Sequence, residues 1–333
     1  MKQIERIVER HRNQFFVGRT VSRMMLSMTA FLLAMIFILV AYSAPESLRS
    51  GQSNTGQQSG ATDWKAVERA LGKAGSMQPG DVYKVSLPRN DLRVTASGAQ
   101  LRPALALGSW VAFKKAGDMT MVMGDLVLTE DEVTPVMTKL QEGGVEQSAL
   151  HNHVLHESPR VMYMHISAMG DAVKIAKTIH DALALSKTPF TAPVAGADQN
   201  QDLGIDTGRL DQIIGHSGKA NSGVYQYSIA RAEQISENGM NIPPSMGLAT
   251  AINFQPTGEG KAAITGDFVL LAGEVNPVIK ALRDNGIEVT AIHSHMLTES
   301  PRLFFMHFWA NNEAQKLARG LRAALDKTNS LKQ

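Results

Sequence analysis

The stretches "HNHVLHESPRVMYMH", residues 151 to 165, and "HSHMLTESPRLFFMH", residues 293 to 307, carry three histidines and a glutamate in the same places. His151, His153, Glu157 and His165 answer to His293, His295, Glu299 and His307, at a constant offset of 142 positions. The same offset superimposes "VYKVSLPR" at Val82 on "VYQYSIAR" at Val224, and "GDLVL" at Gly124 on "GDFVL" at Gly266. It also superimposes "TPVMTKL" at Thr134 on "NPVIKAL" at Asn276. Self-similarity at a fixed period marks a repeated structural unit, here of about 130 residues.

Each unit reads as a mixture of strands and helices. "WKAVERALG" from Trp64 has helical spacing, and "VYKVSL", "WVAFKK" and "MTMVMGDLVL" read as strands. Thr134-Pro135, like Asn276-Pro277, is expected to open a helix that Gly143-Gly144 and Gly286 stop. "VEQSALHNHVL" and "VMYMHIS" follow as a hairpin, and "DAVKIAKTIHDAL" closes the unit as a helix. Strands such as "VMYMHI" and "LFFMHF" are apolar on both faces, so both faces must be covered, by helices or by the other unit. The expectation is an α+β fold of two pseudo-symmetric repeats, each a largely antiparallel sheet with packing helices.

The 333 residues are 44% hydrophobic with a net charge of +2, enough apolar material for sizeable cores and no basic excess of the kind that binds nucleic acid. Cysteine is absent, which excludes disulfides, thiolate metal sites and a lipid-modified cysteine. Lys2, Arg6, Arg10, Arg12, Arg19 and Arg23 precede an uncharged run, "MMLSMTAFLLAMIFILVAY", from Met24 to Tyr42. A basic flank before such a run reads as export with the N-terminus inside, the run being either a cleaved signal or an inner-membrane anchor. The expected layout is a basic cytoplasmic segment (1–23), the signal or anchor (24–44) and a Ser/Gly/Gln-rich tether (45–62). Repeat unit 1 (63–190), a linker (191–206) and repeat unit 2 (207–333) follow.

Alternate residues of a strand share a face, so His151 and His153 point the same way. A hairpin symmetric about Pro159 sets His153 opposite His165, and one about Pro301 sets His295 opposite His307. With His151 and Glu157, or His293 and Glu299, alongside, each hairpin would make its own three-His-one-Glu metal site. Nitrogen and oxygen donors without sulfur suit Zn first, with Mn, Fe, Ni or Cu also compatible. Two other readings stay open: histidines satisfied in a packed core, and metal-free acid/base chemistry of His with Glu. Asp125 and Asp267, within apolar strands, would orient a ligand imidazole or pair with Arg160 or Arg302, which could instead hold an anionic ligand.

The histidine segments, followed by "AQKLARGLRAALD", resemble the LppY/LpqO family of exported bacterial proteins, a domain of unknown function. The resemblance runs from about Trp64 to Lys327 and implies export and two repeats, but no activity. The reading is an envelope protein that binds a transition metal and acts on a small polar or anionic ligand, or else a non-catalytic metal- or anion-binding module.

The tether cannot bury enough surface to fold. A chain beginning at Asp63 is therefore expected to be soluble and to melt in one cooperative step; its insolubility beside a well-behaved full-length chain would contradict that boundary.

Overall fold

A computed structural model describes residues 62–191 and 203–332. The apolar run 24–42, the tether and most of the inter-repeat linker lie outside these residues. Among the described residues no helix is long and apolar enough to cross a membrane.

In the first repeat, α1 (Trp64–Leu71) leads into β1 (Ser76–Gln78) and β2 (Val82–Pro88). A short excursion holds β3 (Thr95–Ala96), β4 (Ala99–Gln100) and α2 (Pro103–Ala106). Then come β5 (Gly108–Ala116), β6 (Met119–Thr129), α3 (Glu130–Glu142), β7 (Glu146–His151), β8 (Glu157–Ser158), β9 (Val161–Gly170) and α4 (Ala172–Leu183). The second repeat follows the same plan: α5 (Thr207–Ile214), β10 (Lys219–Asn221), β11 (Val224–Ala230), β12 (Ser236–Glu237) and β13 (Met240–Asn241). It continues with β14 (Ala249–Gly258), β15 (Lys261–Leu270), α6 (Ala272–Asp284), β16 (Glu288–His293), β17 (Phe304–Glu313) and α7 (Ala314–Leu325). Each repeat builds one six-stranded antiparallel sheet, in the orders β1-β2-β5-β6-β9-β7 and β10-β11-β14-β15-β17-β16.

The helices α3 and α6 begin earlier than their prolines suggest. Thr129 precedes α3, and Glu132 accepts its N–H at 2.9 Å; Glu274 accepts the N–H of Leu271 at 2.8 Å ahead of α6. An acidic side chain in the first turn that accepts the N–H ahead of the helix starts it, and Pro135 and Pro277 are carried inside. Glu132 also accepts from the fully buried Arg89 guanidinium at 2.7 Å, and Glu274 from Arg231 at 2.6 Å. Each arginine also donates to a strand carbonyl, of Val127 and Val269 respectively, so its buried charge is paired and its donors are used.

Side chains alternate across each sheet. Tyr83, Val85, Leu87, Val111, Phe113 and Val122 face α1, α3 and α4. The opposite face belongs to the other repeat. Val82, Ala112, Met121 and Met123 pack with Ile235, Ile242, Met246, Leu248 and Phe305 of the second repeat. The excursion of the first repeat, through Val94, Leu101, Leu105 and Leu107, packs with Val224, Ala263 and Trp309. Both faces of the doubly apolar strands are thus covered. Both repeats fall in one compact unit, and symmetric hydrogen bonds stitch them: Ser148 Oγ donates to the His295 carbonyl, and Thr290 Oγ1 to the His153 carbonyl, each at 2.6 Å. The 142-residue offset exchanges these two bonds, which identifies a pseudo-twofold axis.

Fully burying a Val, Leu or Phe side chain contributes about 1.5–3 kcal/mol, so separating the repeats would uncover several such contributions on each inner face. Either repeat expressed alone is expected to be poorly soluble or to dimerise through that face. Two stable monomeric halves, by sedimentation and melting, would contradict this.

Candidate metal centre

The strands β6 and β9 place Asp125 directly beside His165, and β15 and β17 place Asp267 beside His307. Asp125, His165 and His307 are buried on the inner faces, and Asp267 is half-buried there. Glycine is required just before each aspartate. A Cβ at Gly124 would lie 2.8 Å from the Trp110 carbonyl oxygen, and one at Gly266 only 2.0 Å from that of Ala251.

The hairpin register differs from symmetry about the prolines. His151 pairs with Tyr163 and Ala149 with His165, beyond a bulge at residues 147–149; His293 pairs with Phe305 and Ala291 with His307. His153 and His295 lie past the strand ends, so neither stands opposite the later histidine of its own hairpin. The connection is long, and it folds about the glutamate. Glu157 accepts the N–H of Val161 at 3.4 Å and Glu299 that of Leu303 at 2.8 Å. Glu157 and Ser158 also pair with β3.

The histidines meet across the repeats instead. The ring centroids of His153 and His307 are 3.7 Å apart, those of His165 and His295 3.9 Å, and those of His151 and His293 3.7 Å. The offset maps the first pair onto the second and the third onto itself, so the pseudo-twofold axis passes between His151 and His293. One six-histidine cluster replaces the two separate sets expected from the hairpins. Three groups in it have donor atoms close enough to hold a metal ion: His151 with His153 and His307, His151 with His165 and His293, and Asp267 with His293 and His295. Asp125 Oδ2 lies 3.6 Å from His153 Nε2, and Asp267 Oδ2 lies 3.0 Å from His295 Nε2. Glu157 and Glu299 are in none of these groups; they cap their own turns. Arg160 is exposed and lies 3.6 Å from Glu130, while Arg302 donates to Glu299 and Ser294. Neither arginine pairs with Asp125 or Asp267, so that alternative for the aspartates is set aside.

Backbone carbonyls decide which ring nitrogen faces inward. His307 Nδ1 lies 2.7 Å from the Gly266 oxygen and His295 Nδ1 3.1 Å from the Gly247 oxygen. A carbonyl only accepts, so Nδ1 carries a proton on both rings and Nε2 is the atom turned inward. His165 is held likewise by the Gly124 carbonyl. Tyr163 and Phe305 stack on His153 and His295 with centroids 3.3 and 3.4 Å apart. These stacking partners stand two residues before His165 and His307, a spacing the sequence displays. The carbonyl partners leave no signature in it, apart from the glycine before each aspartate.

The inward-facing atoms have no partners. His151, His153, His165, His295 and His307 each bury an Nε2 without a hydrogen bond, His293 buries both ring nitrogens so, and Asp125 and Asp267 each bury an unpartnered Oδ1. At His295, Nε2 faces the Asp267 carboxylate oxygen at 3.0 Å. Burial, and then the charges of neighbouring imidazoles, pushes His151 down to about 3 and His153 and His165 well below the usual range; burial first lowers His293 and His307 too. These rings are neutral at pH 7, the form in which imidazole binds metal. Burial, with the charge of Asp267 adding, pushes Asp125 up to about 8. At Asp267 burial acts upward as well, but His307 and His295 outweigh it and hold the carboxyl low.

The chain belongs to the family described as Domain of Unknown Function (DUF1259), which matches twice, over residues 65–185 and 208–327. No curated protein matches the chain. Two solved structures are similar in part. The trimeric bacterial microcompartment shell protein PduB is 11% identical, with 78% of this chain and 96% of that chain covered and a TM-score of 0.20. EtuB from Clostridium kluyveri is 9% identical, with the same coverages and a TM-score of 0.19.

The depressed histidines couple stability to pH. Between pH 6.5 and their folded-state values, about 3 for His151, the unfolded chain binds protons that the folded chain does not, so metal-free protein loses stability as pH falls. Asp125 opposes this with one proton, bound by the folded state up to about pH 8. Five lowered imidazoles outnumber it, so the melting temperature of chelator-treated protein is expected to peak near neutrality and fall steadily towards pH 4. A flat profile over that range would contradict the burial of neutral imidazoles.

Proposed function

We propose that this member of a family of unknown function binds two divalent transition-metal ions in one centre shared by its repeats. One ion takes His151, His153 and His307, with Asp125 beside them. The pseudo-symmetric ion takes His293, His295 and His165, with Asp267 beside them. The observation that carries the reading is the set of unpartnered, inward-facing ring nitrogens, three of them fixed by backbone carbonyls. A carbonyl behind each ligand ring is the common outer support of a metal-bound histidine. Donors of nitrogen and oxygen without sulfur favour Zn.

Such ions supply Lewis acidity, and His151 and His293, only partly buried, mark the side from which a small polar or anionic substrate would enter. A second reading is a non-catalytic metal-buffering or sensing module. The donor count favours it, because three imidazoles and a carboxylate complete a four-coordinate ion. The apolar run 24–42 behind a basic flank, and the LppY/LpqO resemblance, support export to the cell envelope, with the run cleaved or kept as an inner-membrane anchor.

Protein purified without a polyhistidine tag is expected to hold about two equivalents of Zn by elemental analysis. His165→Ala and His295→Ala lie in different repeats, yet both are expected to release the same ion, so the double variant keeps the other. Loss of both ions in the double variant would restore two separate sites. Absence of metal after exposure to Zn, Mn, Fe, Ni and Cu would overturn the reading.

A further inference from the structure

The turns that follow the ligand histidines share the sequence Glu-Ser-Pro-Arg, yet they are tied down differently. In the second repeat Arg302 fastens the turn to the ligand segment. It donates to Glu299 at 3.1 Å, to the Met296 carbonyl at 3.2 Å and to Ser294 Oγ at 2.8 Å. Ser294 stands between His293 and His295, so the guanidinium reaches the residue between two ligands. Thr298 Oγ1 adds a bond to Glu237 at 3.1 Å. In the first repeat, at the offset of 142, Asn152 replaces Ser294. Its side-chain amide donates at 3.1 Å to the Val154 carbonyl, the acceptor that matches the Met296 carbonyl. Arg160, the counterpart of Arg302, is exposed and lies 3.6 Å from Glu130, where the second repeat has Ala272. Glu157 Oε2 is left buried without a partner. His156 stands where Thr298 does and takes a φ of 59°, a left-handed backbone that residues other than glycine rarely adopt. The bonds from Thr290 to the His153 carbonyl and from Ser148 to the His295 carbonyl hold the two loops alike.

We infer that Arg302 is a positioning residue that fixes the ligand segment of the second repeat, and that residues 152–156, which have no such tie, are the gate through which ions enter and leave the centre. This rests on the two-ion reading above. Opening the first-repeat loop withdraws His153 and uncovers the ion it shares with His151 and His307. It breaks the bond to Thr290 and one side-chain amide bond, and it lets water reach the stranded Glu157 oxygen. The ion pair of Arg160 is on the surface and adds little resistance. Opening the second-repeat loop breaks the matching bond to Ser148 and also the charged bonds that Arg302 makes to the buried Glu299 and to Met296 and Ser294. His293 and His295 therefore stay in place while His153 swings, and the ion on the Asp125 side exchanges first.

The test is hydrogen exchange by mass spectrometry on zinc-loaded, full-length protein, with release of Zn²⁺ to a chromophoric chelator followed alongside. Amides of 152–156 are expected to exchange faster than those of 294–298 by about tenfold or more, and zinc to leave in two phases about as far apart. His153→Ala removes the fast phase and His295→Ala the slow one. Arg302→Met speeds the slow phase and leaves the fast one as it was, which a general loss of stability would not do. Asn152→Ser, which installs the residue of the second repeat, frees the Val154 carbonyl for Arg160 and slows the fast phase; adding Arg160→Met restores it. Equal exchange of the two segments in protein that holds two zinc ions would overturn this inference alone, as would a fast phase unmoved by Asn152→Ser. Absence of bound zinc would overturn the two-ion reading with it.

Discussion

A buried imidazole nitrogen without a partner is costly, on the order of 1–3 kcal/mol for a lost hydrogen bond, and the seam between the repeats collects seven of them. The surroundings of that seam only sharpen the constraint. Carbonyls of Gly247 and Gly266 fix the tautomers, Tyr163 and Phe305 stack against two of the rings, and the bonds from Ser148 and Thr290 lock the loops that carry His153 and His295. Each of these contacts keeps a ring nitrogen aimed inward where relaxation would let it turn away. Such a set of oriented nitrogens is what the proposed metal centre would use.

Duplication explains how one hairpin comes to serve such a centre. A single unit has an apolar inner face and half of a ligand set, and neither is viable in water. Two units related by a twofold axis cover each other's faces and bring the half-sets together in the same step. The seam that supplies hydrophobic stabilisation therefore also supplies the site, and the site cannot be assembled by either repeat alone. Once the units were joined in one chain, the two halves were free to diverge. Lys84 over Trp110, against Gln226 and Ala251, is such a divergence.

Much of this was legible in the residues. The offset of 142 located both repeats, period-two alternation located the strands, and the doubly apolar strands announced a covered inner face. The histidines were singled out by their repetition. What local reading misplaced was geometry over short distances. Pro135 and Pro277 pointed to helix starts that Glu132 and Glu274 move four or five residues earlier, because an acidic side chain returning to the backbone N–H outweighs a proline's preference for the first turn. Pro159 pointed to the centre of a hairpin that in fact folds about Glu157, whose backbone pairs with a strand of the excursion.

The sequence by itself determined that the chain is a duplicated α+β unit, which side chains are chemically unusual, and that they come in two matched sets. Those are properties of composition, period and spacing, which local propensity and burial enforce. Only the tertiary structure decided that the sets interleave, so that His153 meets His307 and His165 meets His295. The reason is that a register slip of a few residues, or the choice between closing a hairpin on itself and packing it against a twin, changes little in local energy. It is settled by which arrangement buries both inner faces at once, and that is a property of the two repeats together.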